Sequence, residues 1–464
     1  MNGRASIDVG EIIDGAAFRG LPRWVAAFSF AVMIADGFDI QSMAFAAPAL
    51  TAEWGVRREW LGPVLAASIV GMAAGSVVLG WLGDRIGRKS AFCASVALLA
   101  AGSFASSLAG GLGWLVLYRF ATGVGLGGAA PLAAAFVAEW TPRRWRGTVV
   151  SIVVVAIPFG GMLGAALAQH IIPAYGWRSV FVFGAIFPVI FLMIALARLP
   201  ESPRFLVRHP DRWTELARSL NRLPPPSGRL TGRERFVMAE RDLANCGGLT
   251  GLLRAPYLAT TLLLWVAFSC NTLALYGFVN WLPTLLSSSG ASLSFALNGS
   301  LLFNFGGLFG STGGALLMAF CGSQRVGAGV AIAGALATVC IGIGQSSPER
   351  PGVHHAGLLL LPLVMVAGAC LNGMQAFLYA VAAHSYPTNV RASGVGSAAA
   401  VARVGGVLSS VVGSAFFVLG LSLAVFFYVL AAVIVATAAS FFCLRSHIPA
   451  TWRRRTSIAS VAGS

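Results

Sequence analysis

Long apolar stretches separated by short polar ones make up most of the chain. About twelve stretches reach the roughly 20 residues that a helix needs to cross a hydrocarbon layer of about 30 Å. The short alternating segments of a membrane-spanning β-barrel do not occur. The pattern therefore predicts an all-α membrane protein with twelve transmembrane helices. The stretches lie near 24–50, 60–83, 91–111, 112–139, 148–172, 177–198, 257–284, 295–319, 327–345, 356–385, 391–418 and 421–444.

The longest polar stretch, at about 199–256, divides these twelve predicted spans into two sets of six. It contains three consecutive prolines and ten arginines, which is typical of a segment outside the membrane. We therefore expect an N-terminal six-helix bundle at 1–198, a central linker at 199–256, and a C-terminal six-helix bundle with a tail at 257–464.

An internal repeat relates the two halves. Shifting the chain by about 245 positions, without gaps, superimposes spans 4 and 5 on spans 10 and 11. An even number of intervening spans makes the repeats parallel in the membrane. The matched pairs include Pro142 with Pro387, Arg146 with Arg391, Gly160 with Gly405 and Gly161 with Gly406.

Composition and charge point to lipid as the main solvent of this chain. Hydrophobic residues make up 57% of it and charged residues 10%. That is too few charged residues to cover the surface of water-soluble domains. The formal charge of +16 raises the question of nucleic acid, but the arginines concentrate in every second loop and in the tail. That distribution follows the positive-inside rule, predicts cytoplasmic termini and makes a nucleic-acid partner unnecessary.

The sequence gives little indication of a cleaved signal peptide, a metal site or a nucleotide-binding loop. The polar start of the chain does not resemble a cleaved signal peptide, so we expect the first span to remain as an anchor. Seven cysteines are scattered without metal-ligand spacing, so no metal and no cofactor are expected. The glycine run at 123–128 in span 4 lacks a preceding strand and a P-loop lysine, which favours helix packing over a nucleotide loop.

A specific motif stands between spans 2 and 3. The run Gly80-Trp-Leu-Gly-Asp84-Arg85-Ile-Gly87-Arg88-Lys89 resembles the loop signature of the major facilitator superfamily. An acid beside arginines at a helix end can form an ion pair in one conformation and break it in another. We interpret Gly80, Asp84, Arg85, Gly87 and Arg88 as a conformational latch. The matching loop at 314–320 lacks the acid and the arginine.

Further motifs resemble particular branches of that superfamily. Pro200-Glu-Ser-Pro-Arg204 is similar to a signature shared by sugar and organic-acid porters, but the tail lacks the sequence usual in the sugar branch. In span 1, Asp36-Gly-Phe-Asp39 resembles the motif of the aromatic acid:proton symporter family. Similar runs at 118–128, 280–283, 372–375 and 386–394 extend the resemblance over nearly all spans.

The resemblance implies two six-helix bundles around a central cavity in a bacterial inner membrane. It also implies proton-coupled uptake of an aromatic carboxylate, such as a hydroxybenzoate or hydroxyphenylpropionate, by a protein that works as a monomer. The expected partners are the aromatic acid, protons and the lipid bilayer. The family gives the arginine at Arg119 a part in a charge relay with the acids of span 1, and implicates the one at Arg403 in transport.

Four charged residues stand out because they lie well inside predicted spans, and an ionised group at mid-bilayer costs at least about 2.5–3.5 kcal/mol. Asp36 and Asp39 lie on one helix face, and two adjacent acids can share a proton. Arg119 needs a buried partner, and Arg403 has no counterpart in the repeat, where Pro158 stands. We expect proton coupling at Asp36, Asp39 and Arg119, and carboxylate binding at Arg403. Purely structural ion pairs are the alternative.

Polar and aromatic residues supply candidate substrate contacts. We expect Asn372, Gln375 and Trp281 to contribute, although asparagine and glutamine in spans also join helices to each other. A proton-coupled efflux antiporter, a sugar or other organic-acid porter, and a membrane sensor that no longer transports are alternative functions. An enzyme is disfavoured because no nucleophile, metal cluster or phosphate loop is evident.

Overall fold

The computed structural model describes residues 6–223, 230–238, 251–346, 354–387, 390–444 and 447–448. Within them, twelve helices are long and apolar enough to cross a membrane, which confirms the predicted all-α membrane fold. Spans 1 to 6 are Leu21–Trp54, Leu61–Ile86, Arg88–Ser107, Leu112–Trp140, Arg143–Tyr175 and Arg178–Arg198. Spans 7 to 12 are Leu258–Ser288, Leu293–Cys321, Ser323–Ser346, His354–Ser385, Arg391–Val418 and Leu423–Phe442.

Glycines make the tight connections between neighbouring spans in both halves. Gly87, with φ of 99°, separates span 2 from span 3, and Gly322, with φ of 82°, separates span 8 from span 9. Residues with a β-carbon are strained at such angles. At each of these two places a single glycine therefore forms the whole connection between one helix and the next.

Close helix packing follows the internal repeat. A β-carbon on Gly160 of span 5 would collide with the carbonyl oxygen of Ile34 in span 1. A β-carbon on Gly405 of span 11 would collide in the same way with the carbonyl oxygen of Ser269 in span 7. Small residues allow this approach of backbones in lipid. Equivalent glycines therefore bring equivalent helices together, as expected for a parallel repeat.

The chain forms two compact units. The first comprises Met1–Ile40, Val70–Gly160 and Phe181–Asp242, and the second comprises Gln41–Ile69, Gly161–Val180 and Leu243–Ser464. One end of spans 1, 2 and 5 thus belongs to the same unit as the C-terminal spans. The division into bundles at 1–198 and 257–464 remains a prediction.

Short elements outside the spans complete the first unit. Strand Ser6–Asp8 pairs in parallel with strand Arg235–Val237, and helix Val9–Gly15 begins at Asp8, whose carboxylate accepts a hydrogen bond from the Gly10 amide at 2.7 Å. Helices Pro203–Val207 and Trp213–Leu220 follow span 6. Leu216, Leu220 and Phe236 are buried in the core of this unit. The described part of the predicted linker is therefore folded.

Candidate functional site

An ion pair between spans 1 and 4 occupies the interior of the first unit. Asp39 and Arg119 are both 0% exposed, and a guanidinium nitrogen of Arg119 lies 3.3 Å from Asp39 Oδ2. The other terminal nitrogen donates to the Asp39 carbonyl oxygen at 3.1 Å. Arg119 therefore contacts the side chain and the backbone of the same residue, which ties the two helices at this point. We call Asp39 and Arg119 the Asp39 pair.

Span 3 supplies a further donor that sequence reasoning missed. Ser103 Oγ lies 3.0 Å from Asp39 Oδ1 and 3.2 Å from the carbonyl oxygen of Phe181. The Arg119 guanidinium also lies 5.7 Å from the Phe181 ring centre, within cation–π distance. A serine within an apolar span gives little signal in a single sequence, because serine also satisfies itself on its own helix.

Asp36 lies one turn before the Asp39 pair and is also buried, at 2% exposure. The spacing of three residues places both carboxylates on one face of span 1, as predicted. Between them, Gly37 packs so closely on Ile157 of span 5 that a β-carbon would collide with its backbone. Two acids and Arg119 are thus held in a buried region with a formal charge of −1 when all are ionised.

A second polar cluster lies in the second unit, on spans 7, 10 and 11. Asn271 donates to Gln375 Oε1 at 2.7 Å and to the Leu371 carbonyl oxygen at 3.2 Å. Gln375 and Arg403 both lie within interaction range of the Tyr379 hydroxyl, one turn further along span 10. We call Asn271, Gln375, Tyr379 and Arg403 the Tyr379 cluster. Two predicted substrate residues, Gln375 and Arg403, therefore lie together.

The Tyr379 cluster is open on one side. The Tyr379 side chain is 41% exposed, although its ring packs edge-on against buried Phe268 at 5.0 Å between centres. Arg403 is half-buried, and in the described part of the chain it makes neither an ion pair nor a hydrogen bond. A cation, a phenol and an amide can thus meet a ligand that carries both an acid and a ring.

The other two predicted substrate residues occupy different surroundings. Trp281 is 0% exposed, donates its indole N–H to the Ser409 carbonyl oxygen at 3.1 Å, and packs against Phe417 and Gly413. Asn372 donates to the Gly368 carbonyl oxygen on its own helix at 3.0 Å and packs against Gly307 of span 8. These are contacts of helix packing, and among the described residues no side-chain hydrogen bond joins either residue to the Tyr379 cluster.

Amide pairs join other spans of the second unit. Gln41 and Asn304 exchange two hydrogen bonds, each 2.9 Å long, between spans 1 and 8, and both side chains are buried. Gln169 of span 5 donates to Asn298 of span 8 at 2.8 Å. These contacts place one end of spans 1 and 5 against span 8. Asn304 therefore joins helices, one of the two roles expected for such residues.

The loop signature after span 2 has partners that differ from those predicted. Arg88 forms its ion pair with Glu139 of span 4, at 2.5 Å, and Arg85 stacks on the Trp81 ring at 4.1 Å. Asp84 is exposed and makes no ion pair or hydrogen bond within the described residues. The acid that pairs with Arg88 thus comes from span 4. The spacing of residues within the loop could not predict this partner.

Glu201, in the signature after span 6, binds the same loop. Its carboxylate accepts hydrogen bonds from the amides of Lys89 at 2.9 Å and Ser202 at 2.8 Å. Ser202 Oγ in turn donates to Glu139 at 2.5 Å. Gly87 faces the Glu201 carboxylate, and a β-carbon there would collide with it. The two motifs therefore form one network, whereas Gly80 has no neighbour that requires a glycine.

Comparisons with known proteins agree with this architecture. The sequence profile of the Major Facilitator Superfamily matches residues 29–410. The chain is 32% identical to the 4-hydroxybenzoate transporter PcaK of Acinetobacter baylyi, over 89% of this chain and 88% of the relative. It is 34% identical to the gallate transporter of Pseudomonas putida, over 92% of each chain.

A solved structure shows the same fold. The inward-open xylose transporter XylE of E. coli superimposes with a TM-score of 0.67 at 16% identity, covering 92% of this chain and 97% of that one. The chain is a multi-pass membrane protein that belongs to the Major Facilitator Superfamily.

Proposed function

We propose that this protein is a secondary transporter that takes up an aromatic carboxylate together with a proton. The observation that carries the proposal is Arg403, a half-buried cation without an anionic partner among the described residues. A buried charge is stable only when it is paired, so a carboxylate from outside the protein is a suitable partner. Relatives named as 4-hydroxybenzoate and gallate transporters support an aromatic acid as the source of that carboxylate.

The Tyr379 cluster supplies the remaining recognition. The Arg403 guanidinium suits a carboxylate in two-pronged geometry, and the Tyr379 ring offers a surface for the aromatic ring of the substrate. Gln375 already accepts from Asn271, and its amide N–H₂ can donate to a ring hydroxyl. We therefore assign substrate binding to Arg403, Gln375 and Tyr379, and helix packing to Trp281 and Asn372.

Charge neutrality couples the proton to the substrate. Asp36, Asp39 and Arg119 sum to −1, and one proton brings this group to zero. Arg403 carries +1, and one carboxylate brings it to zero. The fully loaded carrier then buries no net charge in either place, whereas a carrier with only one ligand buries a net charge. Because an uncompensated charge in the membrane is costly, rearrangement is favoured when both ligands are bound.

We further propose that the protein works as a monomer in a bacterial inner membrane with both termini in the cytoplasm. The arginine-rich loops and tail support that orientation. The halves at 1–198 and 257–464 would rock about the site, as parallel repeats allow. The network of Arg88, Glu139 and Glu201 lies on the cytoplasmic side in this topology.

Uptake by intact cells tests the proposal. Cells that express the protein would receive labelled benzoate, 4-hydroxybenzoate, protocatechuate, 3-hydroxyphenylpropionate and, as a control, glucose. We expect accumulation of at least one aromatic acid, and we expect a protonophore to abolish it. Absence of aromatic uptake combined with export of a preloaded compound would instead support an efflux antiporter, and uptake of glucose would support a sugar porter.

A further inference from the structure

A cleft of about 760 Å³ opens at the ends of spans 1, 7 and 11, within the second unit. Phe417 in its wall is fourteen residues beyond Arg403 on span 11, which is roughly 21 Å along a helix. The cleft is therefore separate from the Tyr379 cluster. In the proposed topology it faces the outside of the cell. Its lining includes Pro48, Arg57, Arg58, Thr284, Leu293 and Phe417.

The charged side of the cleft has an excess of positive charge. Arg57 forms an ion pair with Glu59, and all three of Arg57, Arg58 and Glu59 line the cleft. Arg58 is exposed and makes no ion pair or hydrogen bond within the described part of the chain. The three residues sum to +1, so the cleft attracts anions and offers one guanidinium that is available to bind them.

Two hydroxyls in the cleft lack hydrogen-bond partners. Thr284 is 1% exposed, and its Oγ1 makes no hydrogen bond to any described residue. The hydroxyl of Ser287, one turn further along span 7, also has none. Buried hydroxyls are normally satisfied, because leaving one unpaired costs about 1–3 kcal/mol in a protein interior. A polar group of a bound molecule would satisfy both.

The rest of the wall is apolar and rigidly held. Pro48, Leu293 and Phe417 also line the cleft and contribute hydrocarbon and ring surface. The short 3-10 helix Arg58–Trp60 is fixed to span 11, because Ser414 Oγ donates to the Glu59 carbonyl oxygen at 2.5 Å. The cleft thus combines an exposed cation on an anchored backbone, an apolar wall and unpaired hydroxyls, which is the arrangement that small-molecule sites have.

We propose that this cleft is an outer binding site that captures the aromatic carboxylate before it reaches the Tyr379 cluster. The carboxylate would bind Arg58, the ring would pack on Phe417 and Pro48, and a ring hydroxyl would bond Thr284. The identity of the ligand rests on the proposed function. The site itself rests on the cleft, its charge and its unpaired hydroxyls.

Transport kinetics test the capture step. Because Arg58 would act before translocation, Arg58→Gln should raise KM for the aromatic acid roughly tenfold and leave Vmax within about twofold. Arg58→Lys keeps the charge without the planar fork and should give an intermediate KM. The control is Arg325→Gln, which removes one exposed arginine at the start of span 9 and should leave KM unchanged. An unchanged KM in Arg58→Gln would overturn the proposal.

A binding measurement separates this site from the proposed function. Saturation-transfer NMR with 4-hydroxybenzoate would be recorded on the Arg403→Gln protein in lipid nanodiscs, where binding at the Tyr379 cluster is impaired. We expect a residual signal that the additional change Arg58→Gln removes and Arg325→Gln does not. Loss of all signal in Arg403→Gln alone would refute the outer site. If the wild type transports no aromatic acid but the residual signal depends on Arg58, the proposed function fails and the outer site stands.

Discussion

Two arginines in the spans of this protein are held in opposite ways. Arg119 is fully buried and binds the side chain and the carbonyl oxygen of Asp39. Arg403 is half-buried, lies beside Tyr379, and makes no ion pair among the residues described. The first cation is neutralised within the protein, whereas the second has no anionic partner among the described residues, and we propose that a substrate carboxylate supplies one.

Because the two arginines differ in their partners, substitutions at them should have different consequences for stability and for transport. Removing one partner of a buried ion pair leaves an uncompensated charge, which costs about 3–5 kcal/mol. Removing a cation without an internal partner leaves no such charge. We therefore expect changes at Arg119 to affect folding as well as transport, and changes at Arg403 to affect transport alone.

The largest effect on substrate binding is expected at Arg403. Arg403→Gln removes the only guanidinium of the Tyr379 cluster, so uptake of the aromatic acid should fall at least about thirtyfold, equivalent to roughly 2 kcal/mol or more of lost binding. The amount of folded protein should stay at the wild-type level. Initial uptake rates, normalised to protein in the membrane, measure the first effect, and gel filtration in detergent measures the second. Wild-type uptake by this variant would remove Arg403 from the site.

A change at Arg119 should destabilise the fold. Arg119→Gln leaves Asp39 buried without its cation and should lower the free energy of unfolding by about 3–5 kcal/mol, seen as a lower midpoint of thermal unfolding in detergent. The double variant Arg119→Gln with Asp39→Asn contains neither charge and should recover most of that stability without recovering transport. Failure of the second change to restore the midpoint would mean that the Asp39 pair is not the source of the loss.

Substrate preference should change at Gln375. Gln375→Leu removes the amide that we assign to a ring hydroxyl, so uptake of 4-hydroxybenzoate relative to benzoate should fall about tenfold. Competition between the two labelled acids measures this ratio directly. Asn372→Leu is the matched control, because Asn372 lies on the same span but bonds its own helix. An equal change of the ratio in both variants would argue against a role of Gln375 in recognition.

A smaller effect on stability than that at Arg119 is expected at Ser103. Ser103→Ala removes one hydrogen bond to Asp39 while Arg119 remains, so the free energy of unfolding should fall by roughly 1–2 kcal/mol. Ser106→Ala on the same span is the control, since Ser106 Oγ donates to the Gly102 carbonyl oxygen on its own helix. Thermal unfolding in detergent compares the two. A larger loss in Ser106→Ala would contradict the assignment of Ser103 to the Asp39 pair.

Hydropathy and charge predicted much of this fold because lipid imposes length and composition on every spanning helix. The twelve spans and the resemblance to the superfamily are confirmed. The strand Ser6–Asp8 was not predicted, because it pairs with residues more than two hundred positions away and its pattern is too short to recognise.

The candidate site was predictable where a charge stood alone in an apolar span. This rule identified Asp39, Arg119 and Arg403. Burying each charge in the membrane is costly, so its presence in a span implies a structural or functional role. The neutral partner Ser103 was not found, because a serine in an apolar span is unremarkable in composition. The ion pair between Arg88 and Glu139 was not predicted either, because it depends on how spans 3 and 4 pack, which local spacing does not encode.

Transport in sealed membrane vesicles tests the coupling of proton to carboxylate most directly. Vesicles containing the protein would receive labelled 4-hydroxybenzoate, either with an imposed inward proton gradient or with unlabelled substrate inside and no gradient. We predict that the wild type accumulates label in the first condition and exchanges it in the second, and that Asp39→Asn exchanges label without accumulating it. Proton-driven accumulation by Asp39→Asn at the wild-type rate would contradict a role of this acid in coupling.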